Sequence, residues 1–328
     1  LVIFQDVTGQ LNRRDLLKIF SAGTLAAIGG GVGMRFMADA EAVVFEDIAT
    51  TPLAFARSVL HMSTPAPDSA ALLQAFQNHQ TPPQAGVAVS SESYQQKMHH
   101  FEQAYLDDVF LAPDKYALVV SVFMRMGRVQ ELVGHGNFNI LSFDELLSYA
   151  RQYLVVGAFP PAEVDFLEEL FTGDARRYGF MGEKVILALT ERVPEKDAVK
   201  QARTGHFLFK GDAQRLYAKL VQDLNHGVVL TSGIRSVVKQ THLFLAKTIQ
   251  AKGNLSRASR SLAPPGHSYH GIGDFDVGKV GFGAKNFTEA FADTDEFKRL
   301  VDLGYADIRY PQDNLLGVRY EPWHIKVV

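Results

Sequence analysis

Two short stretches near the end of the chain carry side chains that could do chemistry together. Residues 268–276 read Ser-Tyr-His-Gly-Ile-Gly-Asp-Phe-Asp, and residues 321–324 read Glu-Pro-Trp-His. They supply two imidazoles, two carboxylates that could bind a metal, and a third carboxylate that could act as a base. A catalytic zinc site needs three nitrogen or oxygen ligands and an open position for water. The two stretches therefore predict a zinc hydrolase site.

The spacing of Glu321 and His324 constrains the local structure that they need. The two residues are three positions apart. On a regular strand this offset sends the side chains to opposite faces, whereas in a tight turn or at the start of a helix both can face one point. We therefore expect a turn in which one side chain is a ligand and the other lies beside the metal-bound water.

Composition limits the classes of protein that the chain can belong to. It has 328 residues, which suggests about two domains of roughly 100–200 residues each. The net charge of −3 and the absence of a long basic run argue against nucleic acid as the main partner. There is no cysteine, so disulfides and cysteine-bound zinc are excluded. Any zinc must be bound by histidine and carboxylate.

Residues 1–42 have the pattern of an export signal. The pair Arg13-Arg14 is followed by an apolar stretch rich in Gly and Ala at residues 19–34, and small-x-small cleavage candidates lie at 38–42. A short, weakly apolar stretch of this kind is typical of twin-arginine export rather than of a transmembrane helix. We predict export to the periplasm or cell envelope, with no transmembrane span in the mature protein. The alternative is an amphipathic surface helix.

The rest of the chain divides by composition into three parts. Residues 43–92 are rich in Pro and small polar residues, which predicts a linker or irregular segment. Residues 93–200 have helical periodicity and a capping box at Ser142 and Glu145, so we predict a helical region of unknown role. From 201 to 328 helices mix with short apolar runs, which predicts an α+β domain.

Local signals place the individual elements. Helical character is predicted at about 93–131, where Pro113 punctuates it, and helices are predicted at 142–153, 160–173, 212–224, after 236, and at 294–303. Strands are predicted at 228–231, near 277–280, at 308–310 and at 324–328.

Three sequence blocks occur in order between about residue 205 and the end of the chain. They are Ser-Gly-x-Arg-Ser at 232–236 with Gln240, Ser-x-His at 268–270 with a following Asp, and Glu-x-Trp-His at 321–324. They resemble the zinc D-alanyl-D-alanine carboxypeptidases and dipeptidases of the vancomycin-resistance type, which share their fold with hedgehog signalling domains. The resemblance implies an α+β chain in which a hedgehog-like zinc peptidase domain follows the mainly helical region.

The resemblance also implies roles at the metal. His270, an Asp and His324 would hold Zn²⁺. Glu321 would be the general base that takes a proton from the metal-bound water and later gives it to the leaving amine.

Further residues of the three blocks would bind or orient the substrate. Arg235 would clamp the substrate carboxylate or the developing oxyanion through charge-assisted hydrogen bonds. Ser268 would bond the same carboxylate, and Gln240 would contribute to substrate binding. Trp323, the only tryptophan, would pack beneath the site and fix the approach of its neighbours.

The second block departs from the family pattern at the Asp ligand. In the family this Asp comes seven residues after the His, behind a Gly-x-Ala-x-Asp segment. Here Asp276 comes six residues after His270, and Asp274 comes four after it. We prefer Asp276 because Val277-Gly278 continues it as the family's apolar strand does. Asp274 stays the alternative ligand.

The resemblance implies an exported bacterial zinc metallo-carboxypeptidase. It would hydrolyse the terminal D-alanyl-D-alanine bond, or a neighbouring bond, of peptidoglycan stem peptides. Alternatives are a peptidoglycan endopeptidase, an L,D-specific enzyme, or a non-catalytic zinc-containing binding protein. The alternative role for Arg235 is that of a structural ion-pair partner. A glutamate retained in the base position, Glu321, favours an enzyme.

Overall fold

The computed structural model describes residues 91–328. The predicted export signal at 1–42, and the predicted linker at 43–92 apart from its last two residues, lie outside the described part. In the part that is described, no helix is both long and apolar enough to cross a membrane.

The first half of the described chain is helical, as predicted. Its helices are α1 Ser91–His99, α2 Pro113–Val133, α3 His135–Phe138, α4 Phe143–Gln152 and α5 Pro161–Thr172. The capping box is confirmed, because the Ser142 side chain accepts from the Glu145 amide and the Glu145 carboxylate accepts from the Ser142 amide. The proline at the start of α5 and Gly173 just after it bound that helix as expected.

The stretch of helical character predicted at about 93–131 forms two helices, α1 and α2, and Pro113 begins the second. Residues 100–112 form turns between α1 and α2. The carboxylate of Asp108 accepts the Tyr105 amide at 3.0 Å and a guanidinium N–H of Arg260 at 2.7 Å. These bonds hold the segment in a turn, so a contact from a distant residue overrides its helical periodicity.

The second half combines helices with two small antiparallel sheets. Its elements are β1 Ala198–Lys200, β2 Phe207–Phe209, α6 Asp212–Asp223, β3 Val228–Ser232, α7 Val237–Gln250, α8 Leu255–Ser261, β4 Phe275–Lys279, α9 Asp295–Asp302 and β5 His324–Ile325. Strands β1 and β2 pair with each other, and the second sheet has the order β3-β4-β5. The predicted α+β fold class is confirmed.

The two closing strands are shorter than predicted. The strand expected at 308–310 is reduced to an isolated bridge between Ile308 and Ile325. The strand expected at 324–328 ends at Ile325. The backbone N–H of Val327 donates instead to the Asp274 carboxylate, at 2.8 Å, which takes this part of the chain out of the ladder.

The register of the second sheet places three polar residues side by side. Ser232 in β3 is opposite Asp276 in β4, and Asp276 is opposite His324 in β5. Directly opposed residues of antiparallel strands have neighbouring side chains on one face. The sheet therefore brings the second and third sequence blocks together.

Helix α7 joins the helical half to the sheet half. Its residues Val238, Leu245 and Ile249 lie in one buried apolar cluster with Phe123 and Met126 of α2. A second cluster underlies the β3-β4-β5 sheet and contains Trp323. Because α7 directly follows the Arg235 block, the helical half supports the site through the core that it shares with this helix.

We expect Leu245→Ala to destabilise both halves together. Leu245 is 1% exposed within the shared core, so the truncation should lower the free energy of unfolding by about 2–5 kcal/mol. Urea unfolding followed by far-UV circular dichroism and by Trp323 fluorescence should shift as one transition. Leu154→Ala, at a residue that is 98% exposed, is the matched control and should change stability by less than about 0.5 kcal/mol. Two separate transitions would contradict a shared core.

Candidate active site

Three buried side chains form a group that could hold a metal ion. His270 lies in the 3₁₀ turn Tyr269–Gly271, Asp276 in β4 and His324 in β5. One ligand atom from each lies within 4.8 Å of the others. The two imidazole rings meet edge to face, with centroids 4.6 Å apart. The structure therefore brings together the three side chains that the sequence analysis named first as ligands.

Hydrogen bonds on the far side of each ring fix which nitrogen faces the group. His270 Nδ1 lies 2.8 Å from the Gly233 carbonyl oxygen, so we assign the proton to Nδ1 and the lone pair to Nε2. His324 Nε2 lies 3.2 Å from Asp274 Oδ2 and donates to it. His324 Nδ1 is then turned towards Asp276 Oδ1, at 3.7 Å. The three facing atoms are His270 Nε2, Asp276 Oδ1 and His324 Nδ1.

Two of these atoms are buried without a hydrogen-bond partner. His270 Nε2 and Asp276 Oδ1 lie 3.2 Å apart, and neither makes a hydrogen bond of acceptable geometry. Buried polar atoms are normally paired, and an unpaired one costs free energy. A cation between them would remove this cost. Two histidines and one carboxylate form a donor set that suits catalytic zinc, so the residues fit the metal.

The two candidate aspartates differ in how their oxygens are used. Asp274 Oδ1 accepts from Arg309 Nη2 at 3.2 Å and from the Val327 amide at 2.8 Å. Asp274 Oδ2 accepts from Arg309 Nε at 2.8 Å as well as from His324. Both oxygens of Asp274 therefore accept hydrogen bonds from N–H donors. Asp276 Oδ1, in contrast, accepts none and faces the two histidines. This geometry favours Asp276 as the ligand.

Glu321 lies beside the metal-facing nitrogen of His324. Its Oε2 is 3.2 Å from His324 Nδ1, and the side chain is buried. The His324 amide donates to the Glu321 carbonyl at 3.1 Å, which closes the turn expected from the spacing of the two residues. A carboxylate in this position can take a proton from a molecule held at the three-atom group.

Arg235 is bonded to a proposed metal ligand. Its Nε donates to Ser232 Oγ at 2.8 Å, and its Nη2 donates to Asp276 Oδ2 at 2.5 Å. A guanidinium has five N–H donors, so these two bonds leave others for a bound anion. Arg235 can therefore form the structural ion pair and also bind the substrate. The sequence alone had left these two roles as alternatives.

The other predicted substrate residues lie around the loop that carries His270. Gln240 is 1% exposed on α7 and donates from Nε2 to the Ala263 carbonyl at 2.5 Å, just before this loop. Ser268 is buried and is the N-terminal cap residue of the 3₁₀ turn. A direct contact of either side chain with substrate stays a prediction. Trp323 is buried in the cluster beneath the sheet, where it was expected to pack.

Sequence reasoning missed two supports of the site. Arg309 bonds both oxygens of Asp274, from which it is 35 residues distant. The amides of Val185 and Ile186, in the helical half, both donate to the Gly266 carbonyl at 2.9 Å and so hold the loop before His270. No local spacing connects these partners, and Arg309 had only been interpreted as part of a strand.

Burial and neighbouring charges set the ionisation of the group. Burial and the Arg235 charge lower the pKa of His270. Burial acts in the opposite sense on Asp276, but His270 and Arg235 hold its pKa well below the usual value. Burial would lower the pKa of His324, but its bonds to Asp274 and Glu321 raise it to about 9.

We expect one imidazole of the metal-free protein to titrate near pH 9. The raised pKa means that His324 stabilises the metal-free fold below its ordinary pKa of 6.5, and that this contribution is lost as pH rises through about 9. An NMR titration of the histidine ring signals measures it, and His324→Gln should remove the signal. The expectation fails if every imidazole titrates at or below its ordinary pKa.

The part of the chain that carries this site matches a known family of peptidases. Residues 209–328 match the family model described as VanY: D-alanyl-D-alanine carboxypeptidase. The resemblance inferred from the three sequence blocks is thereby confirmed, and the match covers residues 209–328. Residues 91–208 lie outside the match. A search among curated proteins found no match.

Solved structures of similar chains include three kinds of peptidase. The vancomycin-resistance D,D-pentapeptidase VanY from a VanB-type resistance cassette, a mutant in complex with Zn(II), is 20% identical over 46% of this chain and 88% of its own, with a TM-score of 0.36. The LD-carboxypeptidase LdcB is 23% identical over 46% of this chain and 68% of its own, with a TM-score of 0.32. The vancomycin-resistance D,D-dipeptidase VanXYg, in complex with a D-Ala-D-Ala phosphinate analogue, is 25% identical over 37% of this chain and 51% of its own. Its TM-score is 0.31.

Proposed function

We propose that this protein is a zinc-dependent D,D-carboxypeptidase that hydrolyses the terminal D-alanyl-D-alanine bond of peptidoglycan stem peptides. The observation that carries the proposal is the convergence of His270 Nε2, Asp276 Oδ1 and His324 Nδ1 beside the buried carboxylate of Glu321. The convergence occurs within a domain of the VanY family.

Zinc is the metal that fits this donor set. When bound, it would polarise the scissile carbonyl and lower the pKa of a water molecule. Glu321 accepts a proton from the attacking water and donates it to the amine as the C–N bond breaks. The water oxygen stays on the new carboxylate, and the released product is D-alanine. The 3.2 Å separation between Glu321 Oε2 and His324 Nδ1 supports this role.

Arg235 supplies the positive charge that the substrate needs. The remaining N–H donors of its guanidinium bind the substrate carboxylate or stabilise the developing oxyanion, while its bond to Asp276 keeps the ligand ionised. Ser268 bonds the same substrate carboxylate. Gln240 acts indirectly. Its side chain donates to the Ala263 carbonyl and so holds the backbone that leads into the loop of Ser268 and His270.

The proposed cellular setting is the periplasm or cell envelope. The twin-arginine pattern at Arg13-Arg14 and the apolar stretch at residues 19–34 support export by the twin-arginine route. The stem peptides of peptidoglycan lie outside the inner membrane, so export and substrate agree.

Release of D-alanine from a stem pentapeptide by the full chain, with and without a chelator, tests the proposal. We expect release that stops with the chelator and returns when zinc is added. Release that is insensitive to the chelator would contradict a metal mechanism. Binding of one zinc per chain without release of D-alanine would contradict the carboxypeptidase assignment, and cleavage of cross-linked peptidoglycan would then identify an endopeptidase.

A further inference from the structure

The metal-facing orientation of His324 depends on a carboxylate outside the metal group. Asp274 Oδ2 lies 3.2 Å from His324 Nε2, and the Asp274 side chain is fully buried. A neutral imidazole, the form that binds a metal, has its other nitrogen fixed as the lone-pair atom when it donates one N–H to a carboxylate. In His324 this other nitrogen is Nδ1, the atom turned towards Asp276.

Asp274 is itself held in place from three directions. The Arg309 guanidinium bonds both of its oxygens, at 2.8 and 3.2 Å, and the amides of Val327 and Val328 donate to Oδ1 at 2.8 and 3.3 Å. Two planar groups that share two parallel bonds also fix each other's orientation. The carboxylate therefore cannot rotate away from His324 without breaking several bonds.

Arg309 also touches the loop that carries the other histidine. Its guanidinium carbon lies 3.7 Å from the centroid of the Tyr269 ring, and Tyr269 precedes His270 in the chain. A guanidinium stacked on an aromatic face and bonded to a carboxylate is fixed by both contacts. Arg309 thus connects the 3₁₀ turn of His270 with Asp274 and, through it, with His324.

We propose that Asp274 and Arg309 form a positioning pair that holds His324 in the tautomer and orientation that present Nδ1 to the metal. This inference relies on the proposed function only for the existence of the metal site. Neither residue belongs to the three-residue metal group. Asp274 acts through the bond that it accepts from His324, and Arg309 acts by holding the Asp274 carboxylate in place.

Asp274→Asn is the most informative change because it keeps the size of the side chain and removes its charge. An amide oxygen in the place of Oδ1 keeps the bonds from Arg309 Nη2 and the Val327 amide, and it turns the N–H₂ towards His324 Nε2. His324 would then need the lone pair on Nε2 and the proton on Nδ1. We expect zinc affinity to fall about 10–100-fold, the usual loss when a carboxylate behind a metal-bound histidine is changed. Arg309→Gln should give a smaller loss, because Asp274 keeps its backbone donors.

Two measurements on the full chain test the pair independently of catalysis. Zinc affinity is measured by competition with a chromophoric chelator, and the protonated nitrogen of His324 is identified by long-range proton–nitrogen NMR of the zinc-loaded protein. Asp307→Asn is the matched control, since Asp307 is exposed, lies close to Arg309 in the sequence and accepts only a weak ion pair, at 3.8 Å, from Lys326. It should leave zinc affinity unchanged.

The results separate this inference from the proposed reaction. Weakened zinc binding by both Asp274→Asn and Arg309→Gln, with the wild-type His324 proton on Nε2, supports the pair whether or not D-alanine is released. Unchanged zinc affinity in Asp274→Asn, or a wild-type proton on Nδ1, overturns it. If Asp274→Asn fails to fold, Arg309→Gln decides, because unchanged affinity in that variant also overturns the pair. Absence of zinc binding by the wild-type protein overturns the pair and the metal site together.

Discussion

Glu321→Gln is expected to abolish release of D-alanine while the protein keeps its zinc. Glutamine has nearly the same shape as glutamate but cannot accept the proton of the attacking water. Loss of a general base lowers kcat by about 10²–10⁴-fold. Because the metal group consists of His270, Asp276 and His324, the zinc content of the purified variant should equal that of the wild type. Steady-state kinetics and metal analysis on the same preparation measure both.

The control for Glu321→Gln is a glutamate from the same half of the chain that lies at the surface. Glu289 is exposed, and Glu289→Gln makes the same chemical change. It should leave kcat within about twofold, as expected for a surface substitution. A Glu321→Gln variant that keeps most of the wild-type kcat would show that Glu321 is not the base. A variant that loses its zinc would show that Glu321 helps to hold the metal.

Asp276→Asn is expected to remove zinc binding almost completely. The neutral amide is a poor ligand, and the change also deprives Arg235 of the carboxylate that it bonds at 2.5 Å. We expect zinc affinity to fall by more than about 100-fold. This loss exceeds the usual effect of changing a residue that is hydrogen-bonded to a metal ligand. The metal-free variant should also be less stable than the metal-free wild type, because a buried guanidinium loses its partner.

Comparison of Asp276→Asn with Asp274→Asn decides between the two aspartates. Both variants make the same change two residues apart, and both carboxylates are buried. If Asp276 is the ligand, its variant loses more zinc affinity than the Asp274 variant does. The reverse order of losses would show that Asp274 is the ligand and that the bonds from Arg309 and Val327 rearrange when the metal binds.

The parts of the site that follow from sequence are those whose residues lie within short blocks. Glu321 and His324 are three residues apart, so one turn decides their relation, and the structure has that turn. Asp276 could be preferred over Asp274 because the apolar residues after it continue a strand, and β4 begins at Phe275. The capping box of α4 could be predicted for the same reason, since Ser142 and Glu145 lie in one helical turn.

The parts that sequence did not predict depend on partners far apart in the chain. The turns at 100–112 interrupt the predicted helical stretch, and Arg260 bonds Asp108 there from 152 residues away. The strand expected at 308–310 is not formed beyond one bridge, and Arg309 is instead drawn to Asp274. Periodicity and local spacing carry no information about such contacts, so the residues that position His324 became visible only in the folded chain.

Location of the bound metal by anomalous diffraction at the zinc edge tests the central claim most directly. Crystals of the full chain grown with zinc should show one anomalous peak, lying between His270 Nε2, Asp276 Oδ1 and His324 Nδ1. A peak next to Asp274, or one at a site that lacks both histidines, would contradict the account. So would the absence of a peak at the three-atom group in crystals whose protein binds zinc in solution.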